Sequence, residues 1–434
     1  MKNYRFLVPV VMALLLVVSI YSLFSEKASE QAEYQQYLYL AQDYRAQEIY
    51  IDAEEYYELA LLEKPSLELY LEMGAMYEEW EQPRKVKKLV EKLLDLYPDE
   101  PGTYEFALKY YSGKKDYATC FSLMETLKKR GLHSEYVDET VAQMEYSFFF
   151  VSEYDNVGVF GRGMCPVQIQ GYWGFVNEKG SQTVAAKFTT VGEYSAEGIA
   201  PVVDNEGNAY YIDTQGNRKK VILSVENIQQ LGMIENDLFA LYDGETWGFY
   251  HSDGTCVFGD YDQVSNIGNG VAACMKDRRW TLRDAKGADL TGKTYEDVAM
   301  DEKKIVYRNS RMFVNTGTGY AMIDINGNVQ SKTEYQDVKI FNDTTYAAVK
   351  IGDLWGYVDK DGKLVIPAQF EDARSFSNGF AAVKVEGKWG FIDLDGKTVI
   401  QPQFDDAKDF TGQGTVYVNT GKEWEMLKLY KYNH

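Results

Sequence analysis

Residues 355–363, with the sequence WGYVDKDGK, return 34 positions later as WGFIDLDGK at residues 389–397. Over the longer ranges 355–376 and 389–410, thirteen of 22 aligned positions are identical. Such self-similarity at a fixed period is typical of proteins that stack one small supersecondary unit many times. The repeat therefore predicts how the carboxyl-terminal part of the chain is built, although it names no ligand.

Looser copies of the pattern extend upstream, and each carries an aromatic residue at the tryptophan position. These positions are Trp173, Tyr210, Trp247, Trp280, Tyr320, Trp355, Trp389 and Trp424, with spacings of 37, 37, 33, 40, 35, 34 and 35 residues. Within one unit the aromatic and β-branched runs predict short strands, and Asp395-Gly396 predicts a tight turn because glycine tolerates positive φ. Four strands of one sheet are expected at 389–393, 398–400, 407–410 and 414–418.

The ends of the array favour a closed ring. The array begins in mid-unit at residues 153–169 and ends in mid-unit at 423–427, and the two fragments together make one unit, the eighth. A β-propeller closes in this way, because both ends of the array contribute strands to one blade and no sheet edge stays unpaired. Small residues also recur in the segment that closes each unit, as converging strands require: Cys165, Ala200, Ala240, Ala272, Ala347 and Ala381. An open β-solenoid of hairpins is the alternative.

The array resembles the WG-repeat family of bacterial proteins, which is named for the Trp-Gly pair. The resemblance covers residues 171–420 and is specific in the last two units. It fades in three units whose aromatic residue is not followed by glycine, since Tyr211, Thr281 and Ala321 stand there instead. The family is known mainly as a repeat architecture, so the resemblance implies a β-repeat domain at 153–434 and no activity.

Residues 34–148 have a different composition, rich in Ala, Leu, Glu, Lys and Tyr and poor in Gly. Small and aromatic residues recur there with a period of 33, from Tyr37, Ala41, Ala53 and Tyr57 to Tyr70, Gly74, Val86 and Val90. Small residues are needed where paired helices cross closely. The segment therefore resembles a three-repeat tetratricopeptide domain with a last helix at 134–147. Helical hairpins unrelated to that family are the alternative.

Residues 6–24 form an uncharged apolar run. As a helix this run would be about 28 Å long, close to the hydrocarbon thickness of about 30 Å. Lys2 and Arg5 precede it, so the positive-inside rule places residues 1–5 in the cytoplasm and the bulk of the chain outside. We expect an uncleaved single-pass anchor in the cell membrane followed by a linker at 25–33, and a cleaved signal peptide is the alternative.

The net charge of −21 argues against nucleic acid as a partner, because binding it requires basic patches. The three histidines lie in no nucleophile motif, and the Asp-x-Asp-Gly turns at 359–362 and 393–396 lack the further ligands of a calcium loop. We therefore expect no catalytic residue, no metal and no cofactor.

Extended repeat surfaces without a catalytic constellation predict a binding or scaffold protein with protein or peptide partners. The first helix of each helical repeat supplies the candidate peptide groove: Gln35, Leu38, Gln42, Arg45, Leu71, Glu78, Glu79, Glu105 and Lys109. This set favours a peptide with some positive charge. Cell-wall or surface glycan binding through the aromatic residues of the β array is the alternative, and burial of the tryptophans distinguishes the two.

Overall fold

The computed structural model describes residues 31–219, 228–332 and 334–430. The chain forms two compact units, divided between Glu145 and Tyr146. The predicted anchor at 6–24 and the cytoplasmic tail at 1–5 lie outside the described residues. Among the helices that are described, none has the length and apolarity needed to cross a membrane.

The first unit is helical, with seven helices in the described part of it. They are α1 (31–46), α2 (Tyr50–Glu63), α3 (Leu67–Glu79), α4 (Pro83–Leu96), α5 (Pro101–Gly113), α6 (Tyr117–Lys129) and α7 (Glu135–Gln143). Ala41, Ala53 and Ala60 are fully buried. A Cβ added to Gly74 would lie 2.5 Å from Cζ of Phe106. Small residues therefore stand where helices pack most closely, as the sequence pattern predicts.

The second unit contains eight antiparallel sheets in its described residues, named blades 1–8 in chain order. Blade 1 comprises β2 (Asn156–Val157), β3 (Met164–Ile169), β4 (Tyr172–Asn177) and β5 (Gln182–Phe188). Blade 2 comprises β6 (Thr190–Val191), β7 (Ile199–Val203), β8 (Ala209–Asp213) and β9 (Arg218–Lys219). Blade 3 comprises β10 (Gln230–Glu235), β11 (Leu238–Tyr242), β12 (Trp247–His251) and β13 (Cys256–Tyr261). Blade 4 comprises β14 (Gln263–Val264), β15 (Val271–Lys276) and β16 (Arg279–Asp284). Blade 5 comprises β17 (Asp297–Val298), β18 (Met312–Asn315) and β19 (Tyr320–Ile323).

Blade 6 comprises β20 (Asp337–Val338), β21 (Ala347–Ile351), β22 (Leu354–Val358) and β23 (Leu364–Phe370). Blade 7 comprises β24 (Asp372–Ala373), β25 (Phe380–Val385), β26 (Lys388–Asp393) and β27 (Thr398–Phe404). Blade 8 comprises β28 (Asp406–Ala407), β29 (Thr415–Asn419), β30 (Trp424–Leu429) and, from the start of the array, β1 (Phe148–Tyr154).

The ring closes through the two ends of this array, because β1 pairs antiparallel with β30. Hydrophobic clusters fill all eight interfaces between successive blades. The cluster between blades 8 and 1 joins Tyr154 and Val176 to Met426. An eight-bladed β-propeller is thus confirmed, and an open solenoid is excluded because its end units would share no core.

The closing fragment is shorter than the sequence indicates. From the start of the array, β1 alone pairs with β30, the strand of Trp424, whereas residues 156–169 begin blade 1. The reason is the turn at Gln170 and Gly171, where φ is 52° and 83°. Positive φ at both central residues makes a tight hairpin turn, so β3 pairs with β4 and not with β30.

The tryptophan strand is third in its sheet, which corrects the predicted strand order. In blade 7 the order is β24-β25-β26-β27, so the segments 407–410 and 414–418 belong to blade 8 instead. Glu386 and Gly387 join β25 to β26 with positive φ at both residues, as a two-residue hairpin requires. Asp405 alone separates β27 from β28, which is too short for a hairpin. The chain therefore passes to the next blade at this point.

The glycine of the Trp-Gly pair allows two strands to approach closely. A Cβ on Gly390 would lie 2.5 Å from the carbonyl oxygen of Ile400, and one on Gly356 would lie 2.7 Å from that of Ile366. The register of the facing strand shifts beside each of these glycines, as at a β-bulge. Gly therefore stands there because the bulged strand leaves no room for a side chain.

Candidate binding sites

The helical unit brings the predicted groove residues of α1, α3 and α5 together. Arg45 on α1 donates to Glu79 on α3 with an Nη2–Oε1 distance of 2.6 Å. Lys109 on α5 lies 2.6 Å from Glu78 on the same α3 helix. These ion pairs join the first helices of the three helical pairs into one continuous face. The hydrogen bond from Arg45 also holds the pKa of the Glu79 carboxyl below its ordinary value.

The remaining predicted groove residues are placed less uniformly. Leu38 and Leu71 are half-buried, and Gln35 is exposed. Glu105 accepts a hydrogen bond of 2.6 Å from Ser134, the residue that caps α7. Its carboxylate therefore has a structural role in addition to any contact with a peptide.

Glu72 is a groove residue that the sequence pattern did not identify. Its Oε1 accepts hydrogen bonds from Gln42, at 2.9 Å, and from the hydroxyl of Tyr57, at 3.0 Å. Burial is the main cause that raises the pKa of Tyr57 to about 12, so this hydroxyl remains a donor at neutral pH. The two-turn spacing between Glu72 and Glu79 on α3 was the available signal, because residues seven apart share a helix face.

The tryptophans of the ring are packing residues. Trp280, Trp355 and Trp389 are only 7%, 4% and 7% exposed, whereas Trp173, Trp247 and Trp424 are half-buried. A sugar ring would need an open aromatic face to stack on, and the three buried tryptophans present none. The glycan alternative depends on aromatic residues of the β array that a sugar can reach. Burial of these three tryptophans indicates core packing instead.

The acidic turns of the repeats are occupied by their own backbone. Oδ1 of Asp393 accepts hydrogen bonds from the N–H groups of Asp395 and Lys397, at 3.1 and 2.9 Å. Asp359 makes the equivalent bonds in blade 6. In the described residues no three His, Cys, Asp or Glu side chains are grouped so that they could hold a metal ion.

A second candidate site lies at the axis of the ring, where an insertion in blade 5 enters it. Residues 299–311 separate β17 from β18, whereas only 374–379 separate the equivalent strands of blade 7. Asn266 of blade 4 holds this insertion in place, because its side chain donates to the carbonyl oxygen of Lys303 at 2.7 Å. The insertion, named here the axial loop (299–311), therefore has a defined position.

Glu302 of the axial loop joins three blades that are distant in sequence. Its carboxylate lies 2.6 Å from Nη1 of Arg374 in blade 7 and 2.9 Å from Nζ of Lys408 in blade 8. Contacts that pass over neighbouring blades are possible only where the blades converge, so these side chains mark the axis. Burial disfavours the ionised form of Glu302, but Arg374 and Lys408 hold its pKa below the ordinary value.

Asp409 and Arg374 each present a buried polar atom that lacks a hydrogen-bond partner. These atoms are Oδ1 of Asp409 and Nε of Arg374. The other carboxylate oxygen of Asp409 accepts a hydrogen bond of 3.0 Å from Asn342. Burial raises the pKa of Asp409 to about 6, although Arg374 and Lys408 favour its ionised form. Both residues line one cavity of about 520 Å³ between blades 5 to 8, named here the axial cavity.

A smaller cavity of about 420 Å³ lies on the other side of the axial loop. Glu193 of blade 2 and Lys303 of the axial loop both line it. Burial raises the pKa of Glu193 to about 7, and burial followed by the charge of Arg308 lowers the pKa of Lys303. The pKa values of Asp409, Glu193 and Lys303 at the axis are thus shifted toward neutral pH, and perturbed pKa values of this kind are typical of functional sites.

From the sequence, only small apolar residues were expected at the axis, and this charged cluster was not predicted. Those small residues are indeed buried, but they lie on the second strand of each blade. The charged residues follow the short first strand. The longest repeat spacing, 40 residues between Trp280 and Tyr320, was the signal of the axial loop.

Replacing Asp409 with Asn is expected to stabilise the protein at neutral pH. A carboxyl whose pKa is raised by folding penalises folding above that pKa, and the penalty disappears below the unfolded value near 4. Asp409 lines the axial cavity, so its charge is not completely removed from solvent. We therefore expect the substitution to raise the free energy of unfolding by only about 1–2 kcal/mol at pH 8. Thermal unfolding measured from pH 8 to pH 4 should show this gain shrinking as the pH falls.

Asp405→Asn is the matched control, because Asp405 is exposed and paired with Lys388. We expect it to change stability by less than about 0.5 kcal/mol. A lower melting temperature for Asp409→Asn at pH 8 would contradict the assignment of Asp409 as a destabilising charge.

Comparison with known sequences supports the β-repeat part of the chain. The family described as a WG containing repeat matches residues 173–207, 355–389 and 389–424. Each match begins at a tryptophan and ends in the following blade. One sequence repeat therefore spans parts of two blades. No curated protein matches the chain.

Several solved structures are similar to this chain at low sequence identity. The computationally designed Ika8 protein is 12% identical, with a TM-score of 0.43, over 65% of this chain and 98% of that chain. BamB from Moraxella catarrhalis is 11% identical, with a TM-score of 0.42, over 66% and 99%. The WD40 domain of SCAP from fission yeast is 9% identical, with a TM-score of 0.41, over 66% and 99%. These similarities carry no argument about function.

Proposed function

We propose that the protein is a non-catalytic binding protein, tethered to the cell membrane and facing outward, whose helical unit holds a peptide segment of a protein partner. The observation that supports this most is the continuous face formed by α1, α3 and α5. Arg45–Glu79 and Lys109–Glu78 connect these helices. Concave faces of this kind in helical repeats are extended binding surfaces.

The charge of this face favours a peptide that carries positive charge. Arg45 and Lys109 are each matched by a glutamate, which leaves Glu72 and Glu105 without a cationic partner on the face. Leu71 of the predicted groove is half-buried and can supply an apolar contact. We infer a ligand segment with a basic residue next to an apolar one.

Peptide selection tests this part of the proposal. A phage library of short random peptides should yield binders to the full-length chain with net positive charge, and Leu71→Asp should weaken them at least tenfold. Leu62→Asp is the matched control, because Leu62 is 78% exposed on α2 and lies outside the predicted groove. Equal binding to both variants, or no enrichment over the Leu71→Asp protein, would refute the groove.

The proposed membrane anchor is inferred from the uncharged run at 6–24 and from the positive charges that precede it. Cys256 is exposed, and the other three cysteines of the chain are buried. A membrane-impermeant thiol reagent should therefore label Cys256 on intact cells whose wall admits it, and a Cys256→Ser chain should stay unlabelled. Labelling that requires cell lysis would refute the outward orientation.

A further inference from the structure

We propose that the axial cavity binds a small molecule that carries a primary ammonium group and, close to it, an oxygen acceptor. Asp409 would pair with the ammonium, and Nε of Arg374 would donate to the oxygen. This site belongs to the ring and is independent of the peptide groove in the helical unit.

The charge of the lining favours a cationic group. Six carboxylates and three basic side chains line the axial cavity. Part of this negative charge is already neutralised within the protein, because Glu302 pairs with Arg374 and Asp301 pairs with Arg308 at 3.0 Å. Asp409 accepts a hydrogen bond from the amide of Asn342 and forms no ion pair within 4 Å with any described residue, although the nearby charges of Arg374 and Lys408 favour its ionised form. It is therefore the carboxylate best suited to receive a ligand cation.

The two unpartnered atoms specify the ligand further. A buried polar atom without a hydrogen bond costs free energy, so such atoms are rare in proteins unless a ligand or a water satisfies them. Oδ1 of Asp409 is an acceptor, and Nε of Arg374 is a donor. A ligand that satisfies both must combine a donor cation with an oxygen acceptor.

A metal ion is a poor occupant of this cavity. No group of three or more His, Cys, Asp or Glu in the described residues is arranged to hold one. Arg374 and Lys408 also place positive charge beside Glu302, which would repel a divalent cation. An ammonium group tolerates this setting better, because it carries one charge and forms directional hydrogen bonds.

Four small probes test the proposal on the full-length chain in a mild detergent: ethylamine, ethanolamine, glycine and acetate. Ligand-observed nuclear magnetic resonance at millimolar concentrations measures their relative affinities. We expect ethanolamine or glycine to bind at least threefold more tightly than ethylamine, and acetate not to bind. The tighter binder of ethanolamine and glycine shows whether the preferred acceptor is a hydroxyl or a carboxylate.

Two substitutions separate the two contacts. Asp409→Asn should lower the affinity for ethanolamine and glycine at least tenfold. Arg374→Lys keeps the positive charge but removes Nε, so it should abolish the preference for these probes over ethylamine. Asp405→Asn, in the same cavity but paired with Lys388, should change affinity less than twofold. Thermal unfolding of each variant confirms that it is folded.

The pH dependence gives an independent readout. Asp409 must be ionised to pair with an ammonium group, and its pKa is about 6. Affinity should therefore fall roughly tenfold between pH 7 and pH 5, because the ionised fraction falls by about that factor. The charged or titratable groups that face Asp409 are Arg374, Lys408, Glu302, Lys303 and Tyr357. The pH dependence should disappear in Asp409→Asn.

Absence of binding by all four probes would overturn the proposal, as would acetate binding as tightly as glycine. Equal affinities for ethylamine and ethanolamine would remove the role of Arg374. Unchanged binding in Asp409→Asn would remove the role of Asp409. A failed peptide selection would leave this result unaffected, because the groove lies in the other unit.

Discussion

Removal of residues 421–434 is expected to unfold the whole β-ring and not merely its last blade. The deletion removes β30, which pairs with β29 on one side and with β1 on the other. It also takes Leu427 and Met426 from two interblade clusters, so both neighbouring interfaces lose core residues. Two sheet edges would then be left unpaired and prone to aggregation. Near-ultraviolet circular dichroism and size-exclusion chromatography would show loss of fixed aromatic packing and formation of large species.

A chain that lacks only residues 431–434 is the control for this deletion, because β30 ends at Leu429. It should behave as the full-length chain does. If the longer deletion stayed monomeric and melted within a few degrees of the intact chain, closure would not hold the ring together.

Trp355→Ala is expected to destabilise the ring by roughly 3–5 kcal/mol, because it removes a large side chain that is only 4% exposed. Trp355 packs in the cluster between blades 6 and 7 with Tyr357 and Ile366. At about 2–4 °C per kcal/mol, the melting temperature of the ring should fall by roughly 10 °C. Calorimetry of the full-length chain measures this change.

Leu354→Ala is the matched control for Trp355→Ala. Leu354 precedes Trp355 on β22, so its side chain points to the opposite face of the strand, where it is 40% exposed. We expect it to cost less than about 1 kcal/mol. If Trp355→Ala left unfolding unchanged, the tryptophan position would not be a core position and the glycan alternative would return.

The closed ring could be predicted from the sequence because the evidence for it is local and repeated. Tight turns, aromatic and β-branched strand segments and incomplete units at both ends of the array all lie within short segments. The strand order within a blade depends on which turn makes the hairpin. Glu386 and Gly387 decide this through positive φ at both positions, and Glu386 is not a residue type that signals such a turn. The repeat that begins at tryptophan was therefore mistaken for the blade.

The axial site could not be predicted in the same way. Glu302 is 72 positions from Arg374 and 106 from Lys408 in sequence. Each of the three is an ordinary charged residue beside a short strand, and only the closed ring brings them together. The groove of the helical unit was easier to place, because the helical period alone puts its residues on one face. That period does not indicate which groove residues pair, so Glu72 was missed.

The most direct test of the closed ring is a disulfide across the seam between the two ends of the array. Glu153 on β1 and Glu425 on β30 are opposite each other in the antiparallel pair. Paired positions of this kind lie within the Cα–Cα range that a disulfide spans, about 4.4–6.8 Å. Glu153→Cys with Glu425→Cys, in a chain that also carries Cys256→Ser, should therefore cross-link on mild oxidation.

The cross-link is read as faster migration on a non-reducing denaturing gel, because it joins distant parts of one chain. Glu153→Cys with Glu206→Cys is the control, since Glu206 is exposed in the turn between β7 and β8 of blade 2. We expect nearly complete intrachain cross-linking of the first pair and almost none of the second. Equal cross-linking of the two pairs, or none for Glu153 and Glu425, would contradict closure of the ring through β1 and β30.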